Sequence, residues 1–136
     1  GAVNLMQPDI FFAVDSSAAD DTSGGVGHQG RLDKGTLLRV FDPTVVVTLR
    51  LKEFLLSTAE ENHIPYQYFV SKGGTDAAAA QSELTGVPSV ALGVASRYIH
   101  THQTVWSIAD FEATQAFVVA IAKALDETTL KTIMGD

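Results

Sequence analysis

The residues able to do chemistry stand at a few points along the chain. Asp15 follows the apolar run "IFFAV", residues 10–14. A carboxylate leaving a buried strand is held rigidly enough to serve a cation, and the same residue type also caps turns. His100 and His102 sit two apart in "ASRYIHTHQT", residues 95–104, with Arg97 just ahead. An imidazole there is either a metal ligand or a polar residue closing a strand, and an H-x-H pair in a loop is weak evidence for metal by itself. The turn "KGGTDA" joins Lys72, Gly73, Gly74, Thr75 and Asp76. Paired glycines can simply turn a strand into a helix, or let backbone N–H groups approach an anion at the helix start. Arg39, within "TLLRVFD", adds an isolated cation in an apolar segment.

Other chemistries find no support. The P-loop pattern and the G-x-S-x-G nucleophile elbow are missing. Asp20 and Asp21 lack the spacing of a calcium loop. With no cysteine, neither disulfides nor thiolate chemistry arise. His28, in a Gly-rich stretch, and His63, at a helix end, read as exposed.

The elements that must position these groups alternate. Residues 10–14 read as a strand buried on both faces, ending at Asp15. Residues 15–35, rich in Gly, Ser and Asp, read as a long loop. "TLLRVFD" (36–42) predicts a second strand, and Asp42-Pro43-Thr44 then opens a helix with Val47, Leu51, Phe54, Leu55 and Thr58 on one face. "IPYQYFVS" (64–71) predicts a third strand, and the alanines after "KGGTD" predict a second helix. "SVALGVA" (89–95) predicts a fourth strand. Ser107 with Asp110 resembles a capping box before a helix whose stripe runs through Phe111, Val118, Ala122 and Leu125, widened by Phe117 and Ile121. Such a wide stripe predicts close packing on a sheet. The tail "DETTLKTIMGD" predicts a short further helix.

Strands alternating with helices predict an α/β, three-layer fold: a mostly parallel or mixed sheet with helices on both faces. Ligands of such sheets gather at the C-terminal ends of strands. Were the strands all parallel, Asp15, the Lys72–Asp76 turn, Arg97 and His100 would share one edge. The 136 residues, 46% of them hydrophobic, fit a single domain with a real core. A net charge of −7 argues against a broad phosphate-binding face, so no nucleic-acid partner is expected. No long uncharged apolar run and no leader-like start are visible, which predicts no membrane partner and fits a cytoplasmic location. From spacing alone, the reading is an α/β domain with a candidate Asp–His metal site.

Three blocks in order, "PDIFFAVDSSAADD", "KGGTDAAAA" and "GVASRYIHTHQT", resemble the M42 family of dinuclear-metal aminopeptidases. The "RYIHTHQT" block is similar to its glutamyl branch, and the likeness runs from about Pro8 to Leu125. The resemblance implies a zinc-peptidase-like fold, here incomplete, in which Asp15 holds one metal and His100 the other. Two divalent ions, zinc or cobalt, would then polarise a peptide carbonyl and activate water. A complete member carries further ligands and a Glu-Glu pair that supplies the general base. No such pair precedes Asp15, so no catalytic base is expected within this chain. The chain therefore resembles the C-terminal portion of the catalytic domain, without the family's dimerisation insert, and is expected to be inactive alone. The implied parent releases N-terminal Glu or Asp from peptides and assembles as a homo-oligomer up to a dodecamer. Its acidic substrate calls for a cation, and Arg39, Lys72 and Arg97 are the candidates. The turn Gly73, Gly74, Thr75 and Asp76 is expected to shape the floor of the metal site or to bind substrate backbone. A non-enzymatic α/β module, binding an anion at the "KGGTDA" helix start or serving assembly, is the alternative.

Overall fold

The computed structural model describes residues 2–22, 29–42, 45–46, 48–70 and 87–135. A short helix α1 (Ala2–Met6) precedes strand β1 (Phe11–Ala18). Strands β2 (Thr36–Asp42) and β3 (Val45–Val46) lead to helix α2 (Leu49–Glu61) and strand β4 (Tyr66–Val70). Strands β5 (Ser89–Arg97) and β6 (Val105–Trp106) are followed by helices α3 (Ile108–Ala124) and α4 (Glu127–Met134).

The centre of the sheet is β5, whose sequence SVALGVASR is small, apolar and almost wholly buried. Such a continuous run belongs to a strand flanked on both sides. On one side β1 runs parallel to it, from Phe11 beside Ser89 to Ala18 beside Ser96. On the other, β2 runs antiparallel, with Leu37 beside Gly93. Strand β4 is parallel to β2, and β6 folds back on the end of β5. The sheet is thus mixed, within an α/β fold.

Side-chain alternation divides the core. Leu38, Val90 and Leu92 face helices α2, α3 and α4 and join Leu51, Leu55, Phe117 and Ile121 in the main cluster. Each fully buried Leu or Phe there contributes about 1.5–3 kcal/mol by leaving water. Leu37, Phe69 and Ala95 form a smaller cluster on the opposite face. Helix α2 buries Leu51, Leu55, Thr58 and Ala59, the spacing of one helical stripe, and begins where the Thr48 hydroxyl accepts the Leu51 N–H at 3.3 Å.

Several expectations change. Helix α2 starts six residues after Asp42, at Thr48 as cap, because the β-branched pair Val45–Val46 doubles back on Phe41 and Asp42 as strand β3. Strand β1 does not stop at Asp15 but continues to Ala18, paired throughout with β5. The Ser107 hydroxyl does cap α3 through the Asp110 N–H, but the Asp110 carboxylate turns away to a loop. On α3 the buried stripe is Ala113, Thr114, Phe117, Ala120 and Ile121, whereas Phe111, Val118 and Val119 face outward. The short terminal helix is present as α4.

Candidate functional site

Asp15 lies within β1 beside Gly93, and that neighbour explains how the strand sits. A Cβ at position 93 would fall 1.8 Å from the Asp15 carbonyl oxygen, so only glycine lets the two backbones approach here. The Thr36 hydroxyl donates to the Gly93 carbonyl at 3.2 Å, and the Thr114 hydroxyl donates to Thr36 Oγ1 at 2.9 Å. These hydroxyls are buried, so their mutual bonds offset the cost of desolvation. The Asp15 side chain is exposed, and its Oδ1 accepts the Ser16 N–H at 2.7 Å.

His100 belongs to the turn that joins β5 to β6. Both His100 and Tyr98 adopt φ of 62°, the left-handed region that non-glycine residues seldom occupy. The turn is closed by the Thr101 hydroxyl, 2.5 Å from the Tyr98 carbonyl and 2.9 Å from that of Gln103. Strain of this kind persists where surrounding contacts impose it, and it collects at functional sites. Because β1 and β5 are adjacent and parallel, Asp15 and His100 lie along the same direction of the sheet. The level of Asp15 at Gly93 is four residues, about 13 Å, short of Arg97.

The remaining candidates separate. Strand β4 runs against β1 and β5, so its C-terminal end does not fall at theirs, and the convergence expected of a parallel sheet does not follow. Lys72, Gly73, Gly74, Thr75 and Asp76 lie outside the described residues. So does His28, while His63 is exposed, with φ of 54° just past α2. Arg97 forks onto Asp21, Nε to Oδ1 at 2.7 Å and a terminal nitrogen to Oδ2 at 3.0 Å. Asp21 also accepts the Leu32 N–H at 3.0 Å. The Arg97 guanidinium, with that N–H in support, holds the Asp21 carboxyl down at about 2, although partial burial opposes it. Arg39 donates to the Ser17 hydroxyl at 3.0 Å and lies 5.2 Å from the centre of the Phe69 ring.

Three positions escape a reading from residue types. Asp110, only 1% exposed, accepts the N–H groups of Asp33 and Gly35, each at 2.8 Å, and so ties the loop before β2 to the start of α3. Asp21 fixes Arg97 from a distance of 76 residues. Gly93 sets the approach of β1, and a lone glycine inside an apolar strand was its visible signal.

Among the described residues, no three of His, Cys, Asp and Glu gather closely enough to hold a metal ion. Asp15 and His100 have the right donor chemistry, an exposed carboxylate and an exposed imidazole, but two donors fall short of the four that close a zinc site. No helix among the described residues is long and apolar enough to cross a membrane.

Comparison with known proteins supplies the context. The family described as M42 glutamyl aminopeptidase matches residues 2–117. A glutamyl aminopeptidase of Lactococcus lactis is 49% identical over 119 residues, which are 88% of this chain and 33% of that protein. A TET aminopeptidase from a marine-sediment Thaumarchaeota archaeon superposes with a TM-score of 0.91 at 29% identity, over 97% of this chain and 38% of its own. The TET1 peptidase of Pyrococcus horikoshii, described as assembling into a tetrahedron or a large octahedral shell, gives 0.75 at 31% identity, over 91% and 36%. The chain thus spans about a third of the length of the relatives it matches.

Proposed function

Because the chain belongs to the M42 glutamyl aminopeptidase family, we propose that it supplies the C-terminal portion of the catalytic domain of a metal-dependent aminopeptidase. That enzyme releases N-terminal acidic residues from peptides, and the general base and remaining ligands come from outside these residues. The observation that carries the reading is the 49% identity to a glutamyl aminopeptidase, together with an Asp on β1 and a His in the turn just past the adjacent parallel strand β5. Asp15 would hold one divalent ion and His100 the other, zinc or cobalt by donor type. When bound, the ions supply Lewis-acid polarisation of a carbonyl and an activated water. What this chain does is hold its two donors. Gly93 lets β1 press against β5 under Asp15, and the turn closed by Thr101 sets the direction of His100.

Recognition of the acidic side chain is proposed for one of Arg39, Lys72 and Arg97; Arg39 is steadied on the sheet by Ser17 and Phe69 and Arg97 is forked on Asp21. The turn Gly73, Gly74, Thr75 and Asp76 stays in the proposal as the floor of the metal site or a contact to substrate backbone. The complete enzyme is proposed to be a cytoplasmic homo-oligomer, on the example of the P. horikoshii shell.

Calorimetric titration with cobalt or zinc tests the donor pair. Wild type should bind weakly, and His100→Ala and Asp15→Asn should each weaken binding by at least tenfold. Titration curves that coincide for all three proteins remove both residues from the site.

A further inference from the structure

The turn that carries His100 is strained and has few supports. Tyr98 and His100 both hold φ of 62°, and a non-glycine residue keeps such a backbone only where its surroundings impose it. The Thr101 hydroxyl closes the turn on the Tyr98 and Gln103 carbonyls. Those bonds lie within the turn, so they shape it without tying it to its neighbours. Its two arms leave the sheet as a pair, Arg97 on β5 beside Val105 on β6. Strand β6 is only two residues long, Val105–Trp106, and both are exposed. The placement of the turn on the sheet therefore depends on what holds the Arg97 end.

Asp21 holds that end. Its Oδ1 accepts from Arg97 Nε at 2.7 Å and its Oδ2 from a terminal guanidinium nitrogen at 3.0 Å. A two-bond fork fixes orientation as well as distance. The Arg97 and Asp21 side chains are only 34% and 12% exposed, so water competes with the pair less than it does at an open surface. The anchor is itself fastened. Asp21 Oδ2 also accepts the Leu32 N–H at 3.0 Å. The adjacent Asp20 N–H donates to the Gln29 and Gly30 carbonyls, at 3.1 and 3.0 Å. Just before it, the Ala19 N–H donates to the Ser96 carbonyl at 2.8 Å, which carries the contact between β1 and β5 up to the residue preceding Arg97. The segment that leaves β1 is thus fastened to the base of the His100 turn.

We infer that Asp21, acting through Arg97, is a positioning residue for His100: it fixes the base of the strained turn, and with it the place of the imidazole relative to the strand that carries Asp15. The inference rests on the functional reading above, in which His100 holds a metal ion. Groups that orient a metal ligand from behind carry about 10–100-fold in metal affinity. Such groups commonly accept a hydrogen bond from the ligand's own ring. Here the support acts on the backbone from which the ring projects. An ordinary ion pair adds only a little stability to the whole fold. A positioning pair also sets the backbone of the turn beyond it, and that difference can be measured.

The test compares wild type with Asp21→Asn, Arg97→Gln and His100→Ala. Thr48→Ala, which removes the α2 cap, serves as a control for general loss of stability. With a chelator present, a strong NOE between the amide and α protons of one residue marks positive φ. It should be seen at Tyr98 and His100 in wild type and in Thr48→Ala, and should weaken in Asp21→Asn and Arg97→Gln. Cobalt alone, added after the chelator is removed and followed by broadening of nearby NMR signals, should bind the two pair variants about tenfold more weakly than wild type. Thr48→Ala should bind it as wild type does. Should Asp21→Asn not fold, because Leu32 also loses its acceptor, Arg97→Gln carries the test with Asp21 intact. A turn unmoved in the pair variants overturns the inference, and so does wild-type cobalt affinity once the turn has relaxed. An equal loss in Thr48→Ala overturns it too, by making the effect one of stability alone. Failure of the functional reading looks different: His100→Ala then binds cobalt as wild type does. The inference then falls as a statement about metal, while the chelated spectra still show whether Asp21 holds the turn.

Discussion

Asp110 shows how much a single buried side chain can organise. It is only 1% exposed, yet both carboxylate oxygens are used, one on the Asp33 N–H and one on the Gly35 N–H. Replacing it with alanine leaves both donors near a dry helix start, at a cost of about 2–3 kcal/mol. Urea denaturation of Asp110→Ala should show that loss as a lower midpoint with an unchanged slope, and an unaltered midpoint would mean that the loop finds other partners. The Asp21–Arg97 pair makes a second prediction at this scale. The Asp21 carboxyl is drawn from its ordinary 3.8 to about 2, mainly by the guanidinium. A folded value below the unfolded one means that the pair contributes stability fully above about pH 4 and loses it as pH falls toward 2. The stability of wild type should therefore fall faster between these limits than that of Arg97→Gln, and parallel curves would show the fork to be without effect.

At the scale of elements, the glycine in the middle of β5 decides whether β1 can lie where it does. Gly93→Ala places a methyl on the Asp15 carbonyl, and both partners are backbone, so neither can rotate away. The expected loss is about 1–3 kcal/mol, the usual range for overpacking, and faster exchange of the β1 amides should accompany it. A Gly93→Ala protein as stable as wild type would show that the ladder can shift. The elements themselves were largely legible. β2, β4 and β5 follow from apolar, β-rich runs, and the start of α3 follows from Ser107. The failures have physical causes. Asp42-Pro43-Thr44 carries a good helix opening, but Val45 and Val46 gain more by pairing with β2 than by turning. Asp15 reads as the end of a strand because it is charged, yet an edge strand keeps its polar side chains in water and continues. On α3 the apolar residues exceed one stripe, and the core selects Phe117 and Ile121 over Phe111 and Val118. Periodicity alone could not say which stripe wins. The candidate site was legible only in part, since residue types pointed to Asp15 and His100 while strand direction, which separates β4 from them, is not written in any local pattern.

The whole molecule brings these scales together in one quantity, the number of metal donors it can offer. A catalytic zinc keeps three protein ligands and a closed structural site four, whereas the described residues hold no group of three potential donors. Rigidity of the fold does not add to the donors found among these residues, because preorganisation spares entropy but supplies no ligand. Metal at a concentration equal to its dissociation constant would stabilise the chain by only about 0.4 kcal/mol, a shift in thermal midpoint of about 2–3 °C at most for a domain of this size. The purified chain, given zinc or cobalt, should accordingly release no glutamate above blank from a chromogenic N-terminal Glu amide. On the proposed function, activity should emerge only together with the remainder of the catalytic domain, which would supply the further donors and the base. Release by the isolated chain that His100→Ala abolishes would show that its own residues suffice, and would overturn the proposal that the base and remaining ligands come from outside them.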